Sequence, residues 1–262
     1  MIDANCFLGA YPFRAGVEAT AESLLARMDQ IGVSEAWVSH LSAMFWRDPT
    51  EGNAALLEAA ESPRQRPVLA VHPGLAGWER VLDEALRAEA PCVRADPMFY
   101  GIDPAGAGMT ALAGACAERG LPLLTAVKLE DVRQRHPNDS AADLPPWAIR
   151  TLIRRHPKLK LIVTHADRDF IEQVHFGSTP EEGERILWDI CWIWGPPEEH
   201  LALLLDTVGV ARFCFGTAAP MRLPENSVAK LDLLDIDPAS RRSIEEGNAR
   251  AFSGRSGRNN LL

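Results

Sequence analysis

Residues 154–167 read RRHPKLKLIVTHAD. A run of helical period ends at Arg155, Pro157 stops it, and the apolar run Leu159–His165 follows and closes on an imidazole. A proline just past a helical run, then a short β-branched run, marks the junction of a helix with a buried strand. The junction recurs at residues 118–124, ERGLPLL, where Gly120 ends the helix and Pro122 opens the strand.

Working outward from these two junctions, strands are predicted at Met1–Phe7, Glu35–Leu41, Pro67–His72, Cys92–Asp96, Pro122–Leu129, Leu159–His165, Arg185–Ile193 and Val210–Gly216. Between them lie stretches with apolar residues at three- and four-residue steps: Thr20–Ile31, Gly52–Glu61, Trp78–Glu89, Met109–Arg119 and Pro146–Arg155. Strands alternating with helices pair in parallel through right-handed crossovers. Eight such units in 262 residues fit one closed (β/α)8 TIM barrel, an α/β fold. An open doubly wound sheet is the alternative. It usually carries a glycine-rich phosphate turn after its first strand, and LGAYPFRAG at residues 8–16 has none. The barrel is assigned to residues 1–254 and a loose C-terminal tail to residues 255–262. RQRHPNDSAADLPPW, residues 133–147, reads as a long loop.

With 47% hydrophobic and 24% charged residues the chain has an ordinary globular composition. A formal net charge of −9 argues against a nucleic-acid surface, which needs clustered Lys and Arg. There is no signal-peptide pattern and no apolar run near the ~20 residues that span a membrane. The five cysteines are scattered, with no CxxC, so a reduced, cytoplasmic chain with cysteines as core residues is expected. The expected partner is a small-molecule ligand, with homo-oligomer formation left open.

The second half carries a resemblance. LKLIVTHAD (159–167), ILWDICWI (186–193), GVARFCFGTAAP (209–220) and EEGNARAFSG (245–254) are similar in order and spacing to the sixth, seventh and eighth strands and C-terminal helix of amidohydrolase-related proteins. IDANCFLG (2–9) and LPLL (121–124) extend the match over nearly the whole chain. PFR (12–14), EGN (51–53) and VRADPMFYGI (93–102) resemble an uncharacterised branch of the amidohydrolase 2 type. The resemblance implies a TIM barrel and hydrolysis assisted by a divalent metal.

It also implies five ligand positions. They fall on Asn5, Phe7, Ala126, His165 and Ala218. Phe and Ala have no donor atom, Asn is a poor zinc ligand, and one imidazole does not hold zinc, which needs three or four convergent ligands. A degenerate site with no metal and no cofactor is therefore expected. In the lactonase relatives that hydrolyse without metal, the position of Ala218 carries the aspartate that activates water, so that route is also missing.

Active sites of this fold lie at the C-terminal strand ends. Strand parity then gathers Asn5, His40, His72, Arg94, Asp96, Lys128, Glu130, His165 and Asp167. Three readings stand side by side. The first is a pocket for a small polar or anionic ligand, with Arg94 and Lys128 gripping a carboxylate or phosphate. The second is metal-independent acid–base catalysis, of hydrolysis or lyase type, on a small polar or carboxylated substrate. There His165, Lys128 and Glu130 are catalytic, and Asn5, His40, His72, Arg94, Asp96 and Asp167 bind substrate. The third is a rewired metal site of His40, His72 and His165. Against all three stand a buried ion-pair network with no chemistry and a non-catalytic scaffold barrel. Trp188, Trp192 and Trp194 are read as an aromatic cluster, Asp189 as a loop anchor, and Cys6 as facing the helices.

Overall fold

The computed structural model describes residues 1–60 and 62–253. Its barrel strands are β1 (Ile2–Ala10), β2 (Glu35–His40), β3 (Gln65–Pro67), β4 (Val93–Arg94), β5 (Leu123–Ala126), β6 (Leu161–Thr164), β7 (Ile186–Asp189) and β8 (Phe213–Cys214). β1 to β3 pair in parallel, and β4 to β8 pair in parallel in chain order. Two seams join these sheets into the closed (β/α)8 barrel. Between β3 and β4, Arg94 N donates to Leu69 O at 2.8 Å and Val71 N to Arg94 O at 2.7 Å. Between β8 and β1, Ala4 N donates to Phe215 O (3.0 Å), Ala218 N to Asn5 O (2.8 Å) and Phe7 N to Ala219 O (2.8 Å). A two-residue strand, Glu18–Ala19, adds antiparallel to the end of β1. The proposed tail, residues 255–262, lies outside the described residues, as do Glu61 and Gly254.

Several strands are shorter than the apolar runs that announce them. The third was expected over Pro67–His72, yet its ladder covers Gln65–Pro67. The reason is Asn53, on helix Thr50–Ala59: its amide donates to Ala70 O and its oxygen accepts from Ala70 N, both at 2.8 Å. One side chain does the work of a neighbouring strand there. The eighth strand, expected from Val210, is preceded by a 3₁₀ turn over Val210–Arg212. The helices start and stop where local chemistry dictates. Thr20 and Ser23 cap helix Ala21–Ile31 reciprocally, and Gly32 closes it at φ 75°. The helix Pro146–Arg155 has the expected bounds, with proline at its first turn.

Outward side chains of the strands, Cys6 among them, pack against the helices. Inside, the barrel floor is apolar: Ile2, Ala4, Trp37, Val68, Cys92, Leu124, Ile162, Leu187 and Cys214 meet Ala249 and Phe252. Those two belong to the C-terminal helix Asn248–Phe252, which plugs the floor. Asn248 holds it there by donating to Val210 O at 2.9 Å and Phe213 O at 2.8 Å. No helix among the described residues is long and apolar enough to cross a membrane. The three tryptophans do not cluster. Trp188 packs outward edge-on to Phe170, Trp192 sits in the barrel mouth, and Trp194 stacks on His200 at the surface, because β7 ends at Asp189 and the parity expected through residue 193 lapses.

Candidate functional site at the barrel mouth

Above the apolar floor, the inward positions turn polar. Asn5 of β1 lies at the centre. Its carboxamide nitrogen donates to Asp189 Oδ2 at 2.8 Å, lies 3.4 Å from His165 Nδ1, and is 3.9 Å from Cys191 Sγ. Its oxygen faces Arg94 Nη1 at 3.5 Å. The amide orientation follows from these neighbours: turned over, its oxygen would face a carboxylate and its NH2 a guanidinium. Arg94 is held by Asp96 Oδ2 at 2.7 Å and reaches Ser39 Oγ at 3.3 Å, while Asp96 Oδ1 accepts Ala126 N at 2.7 Å. Ion pair and amide form one chain, Asp96–Arg94–Asn5–Asp189, with every member buried.

His165 follows β6 with φ 57° and Ala218 follows β8 with φ 58°. Left-handed backbone at non-glycine residues costs about 1–3 kcal/mol and persists where surroundings over-determine it. Here Asp189 Oδ1 accepts His165 N at 3.0 Å, and Asn5 O accepts Ala218 N at 2.8 Å. Asp189 thus positions both the His165 backbone and the Asn5 amide. Gly216 is required by that carboxylate, since a Cβ there would lie 2.9 Å from Asp189 Oδ2.

The imidazole of His165 is fully buried, and its Nε2 has no partner. Burial, then the positive charges of Arg94, Arg222 and Lys128, hold its pKa well below the ordinary histidine value, so the ring is neutral. With Nδ1 accepting from Asn5, the proton belongs on Nε2. Burial also raises the Asp189 carboxyl.

The mouth over this layer is packed. Phe7, Tyr11, Leu41, Met44, Ala126, Leu129, Cys191, Trp192, Ala218 and Met221 form one buried cluster. Phe7 is 0% exposed and Trp192 6% exposed, and both rings flank His165, with centroids 6.3 and 5.9 Å away. The Arg94 guanidinium lies 4.6 Å from the Phe7 ring centre. A cavity of about 470 Å³ exists on the outer wall, lined by Phe176, Trp188, Val208 and Arg212 among others. Its lining shares no residue with the mouth cluster.

The residues singled out in the sequence separate into three groups. Asn5, Arg94, Asp96 and His165 come together. Lys128, Glu130 and Asp167 stand at the rim and are paired: Lys128 Nζ with Asp167 at 2.7 Å and Asp143 at 3.6 Å, Glu130 with Arg14 at 3.1 Å. Asp167 also caps helix Arg168–His175 through Phe170 N. His40 and His72 stay apart. His40 Nδ1 lies 2.6 Å from Ser42 Oγ at a helix start, and His72 stacks on Tyr100 at 4.4 Å while accepting Gly74 N. The trio His40, His72 and His165 does not form, because the two outer rings are spent on local turns at their own strand ends. Among the described residues, the donor set that converges is His165, Asp189 and Cys191.

Sequence reasoning read Asp189 only as a loop anchor and Cys191 only as a core residue, and it missed Arg222. A lone acid inside ILWDICWI was the available signal, because a charge in a buried strand demands a partner. Arg222 lay beyond the last strand and offered no pattern. Its guanidinium lies 3.6 Å from the Trp192 ring centre, its Nε is buried without a partner, and among the described residues no carboxylate pairs with it.

A closed parallel barrel with its polar residues gathered at the C-terminal strand ends defines a TIM barrel. The chain belongs to the amidohydrolase family, whose model matches residues 18–255. It is similar in fold to a probable 2-pyrone-4,6-dicarboxylic acid hydrolase from Acinetobacter baumannii solved with citric acid bound (10% identity, 97% of this chain and 98% of that one, TM-score 0.69). It is also similar to 2,6-dihydroxybenzoate decarboxylase from Rhizobium (12%, 96% and 98%, TM-score 0.71). A third similar structure is 5-carboxyvanillate decarboxylase from Sphingomonas paucimobilis (14%, 96% and 98%, TM-score 0.68). No curated protein matches the sequence.

Proposed function

We propose that this amidohydrolase-family barrel works without the family's divalent ion and acts as a binding barrel for a small carboxylated ligand. The donor set does not fit the ion. Phe7, Ala126 and Ala218 offer no ligand atom, and the Asn5 amide nitrogen lies among the donors that remain.

The observation that carries the reading is the seal over His165. A general acid or base must come within hydrogen-bond reach of the reacting group, about 2.6–3.2 Å or through one water. His165 lies under Phe7 and Trp192, both almost wholly buried. Acid–base catalysis by His165, Lys128 and Glu130 would need both rings to leave. Two cations flank Trp192 at the rim: Arg222 on its ring, with no carboxylate partner among the described residues, and Lys128, with Nζ 5.6 Å from the same ring and paired with Asp167 and Asp143. The Arg222 guanidinium is suited to bidentate carboxylate contact. The names of the three similar structures all speak of carboxylated compounds, which supports this ligand class.

Calorimetric titration of metal-free protein with citrate tests the reading. Binding is expected, and Arg222→Gln is expected to weaken it at least ~10-fold, about 1.4 kcal/mol. Turnover of a carboxylated pyrone or dihydroxybenzoate that needs an added divalent ion, or that a folded His165→Ala variant abolishes, would contradict it.

A further inference from the structure

One ligand atom each of His165, Asp189 and Cys191 lie within 4.8 Å of one another, and all three residues are buried. Neutral imidazole, carboxylate and thiolate are all competent ligands for zinc-like ions. The structure also shows what sits among them. The Asn5 carboxamide nitrogen contacts all three, at 3.4, 2.8 and 3.9 Å.

We infer that the Asn5 amide stands in for a cation, and that the wild-type chain carries a three-donor metal shell, with the Cys191 thiol as one donor, that its own side chain fills. This rests on the reading that the barrel works without the family's ion. The geometry explains why asparagine suits the place. Its two N–H bonds supply a positive end to the Asp189 carboxylate and the His165 Nδ1 lone pair. Its oxygen, on the opposite side, accepts from the Arg94 guanidinium at 3.5 Å. The amide dipole therefore points from a fixed cation, Arg94 paired with Asp96, toward the Asp189 shell. An arginine anchored by its own carboxylate and relayed through an amide replaces an ion that could exchange with solvent. Phe7 and Trp192 then close over His165, with no open coordination position reaching the mouth.

The shell differs from the five-position set implied by family resemblance. It shares His165 alone with that set and adds two donors from β7 and the residues just after it, Asp189 and Cys191. It is incomplete as a tetrahedral site, so a bound ion would take its fourth ligand from water in the space that the side chain vacates. Cys191 would release its proton to buffer on ligation.

The test uses Co²⁺, whose thiolate complexes show a near-ultraviolet charge-transfer band. Asn5→Ala is expected to take up one equivalent of Co²⁺ with that band, and to lose it when Cys191→Ala is added. The wild type under the same conditions should show neither. A thiolate band in the wild type would overturn the inference, since the amide would then not hold the shell. A folded Asn5→Ala variant that binds no Co²⁺ would overturn it as well. If Asn5→Ala does not fold, Asn5→Asp keeps the shape but places a second carboxylate against Asp189. Its thermal midpoint should rise on adding Zn²⁺, and an unchanged midpoint would contradict the inference. Failure of these arms leaves citrate binding by Arg222 untouched, so the two proposals fail separately.

Discussion

The barrel is filled at both ends, by opposite means. The floor is apolar, with Trp37, Leu124, Ile162 and Leu187 packed under Phe252. The layer above it is ionic and amide-linked, Asp96–Arg94–Asn5–Asp189 with His165, and a second apolar cluster lies over that. A floor of this kind is stabilised in proportion to area removed from water, and it tolerates substitutions that conserve volume. A buried polar layer gains little net stability from each bond, yet losing one partner strands another. The lesson is where rigidity resides: the mouth, the usual place for a reaction chamber, is here the part of the interior least able to lose a single group.

Arg94→Met should break this comparison most strongly. It leaves Asp96 buried and unpaired and takes the cation from Asn5, for a loss of about 3–5 kcal/mol in urea unfolding. Adding Asp96→Asn should return part of that loss. If the single variant costs less than a floor truncation, the polar layer is not the demanding region. Ile162→Ala in the floor should cost about 3 kcal/mol, with citrate affinity unchanged.

A third, smaller effect concerns pH. Asp3 joins β1 to β8 by accepting Thr217 Oγ1 at 2.5 Å and Thr217 N at 3.0 Å, and burial raises its carboxyl to about 6. A folded-state pKa above the unfolded one means that the native state binds the extra proton. This group's contribution to stability is therefore full below the unfolded value of 3.8 and falls as pH rises through about 6. Compared with Asp3→Asn, the wild type should lose about 2 kcal/mol between about pH 4 and pH 6.5. A constant difference between the two proteins across that window would refute the assignment. The smallest effect is at the rim: Lys128→Ala, with its partly exposed ion pairs to Asp167 and Asp143, should cost about 0.5 kcal/mol.

The sequence made the barrel legible through its period and through breakers such as Pro157 and Gly120. It also made Asn5, Arg94, Asp96 and His165 legible, because inward parity on successive strands holds as long as the strands do. It could not show that β7 stops at Asp189, so Trp192 and Cys191 were read without their place in the mouth. Nor could it show that Asn53 replaces a strand partner for Ala70, which depends on a helix–sheet contact between residues 17 apart. The left-handed turns at His165 and Ala218 were likewise hidden, since both come from tertiary hydrogen bonds to distant strands. Arg222 escaped because a cation in a post-strand loop looks like any surface arginine until its neighbours are known.

The central claim is that His165 belongs to a sealed polar core and not to a reaction chamber. Nitrogen-15 resonances of its imidazole test this most directly. The account predicts an Nε2–H tautomer with Nδ1 accepting a hydrogen bond, unchanged from about pH 8 to about pH 5 and unaffected by Zn²⁺. A ring that titrates within that window, or whose Nδ1 shifts on adding the ion, would contradict it.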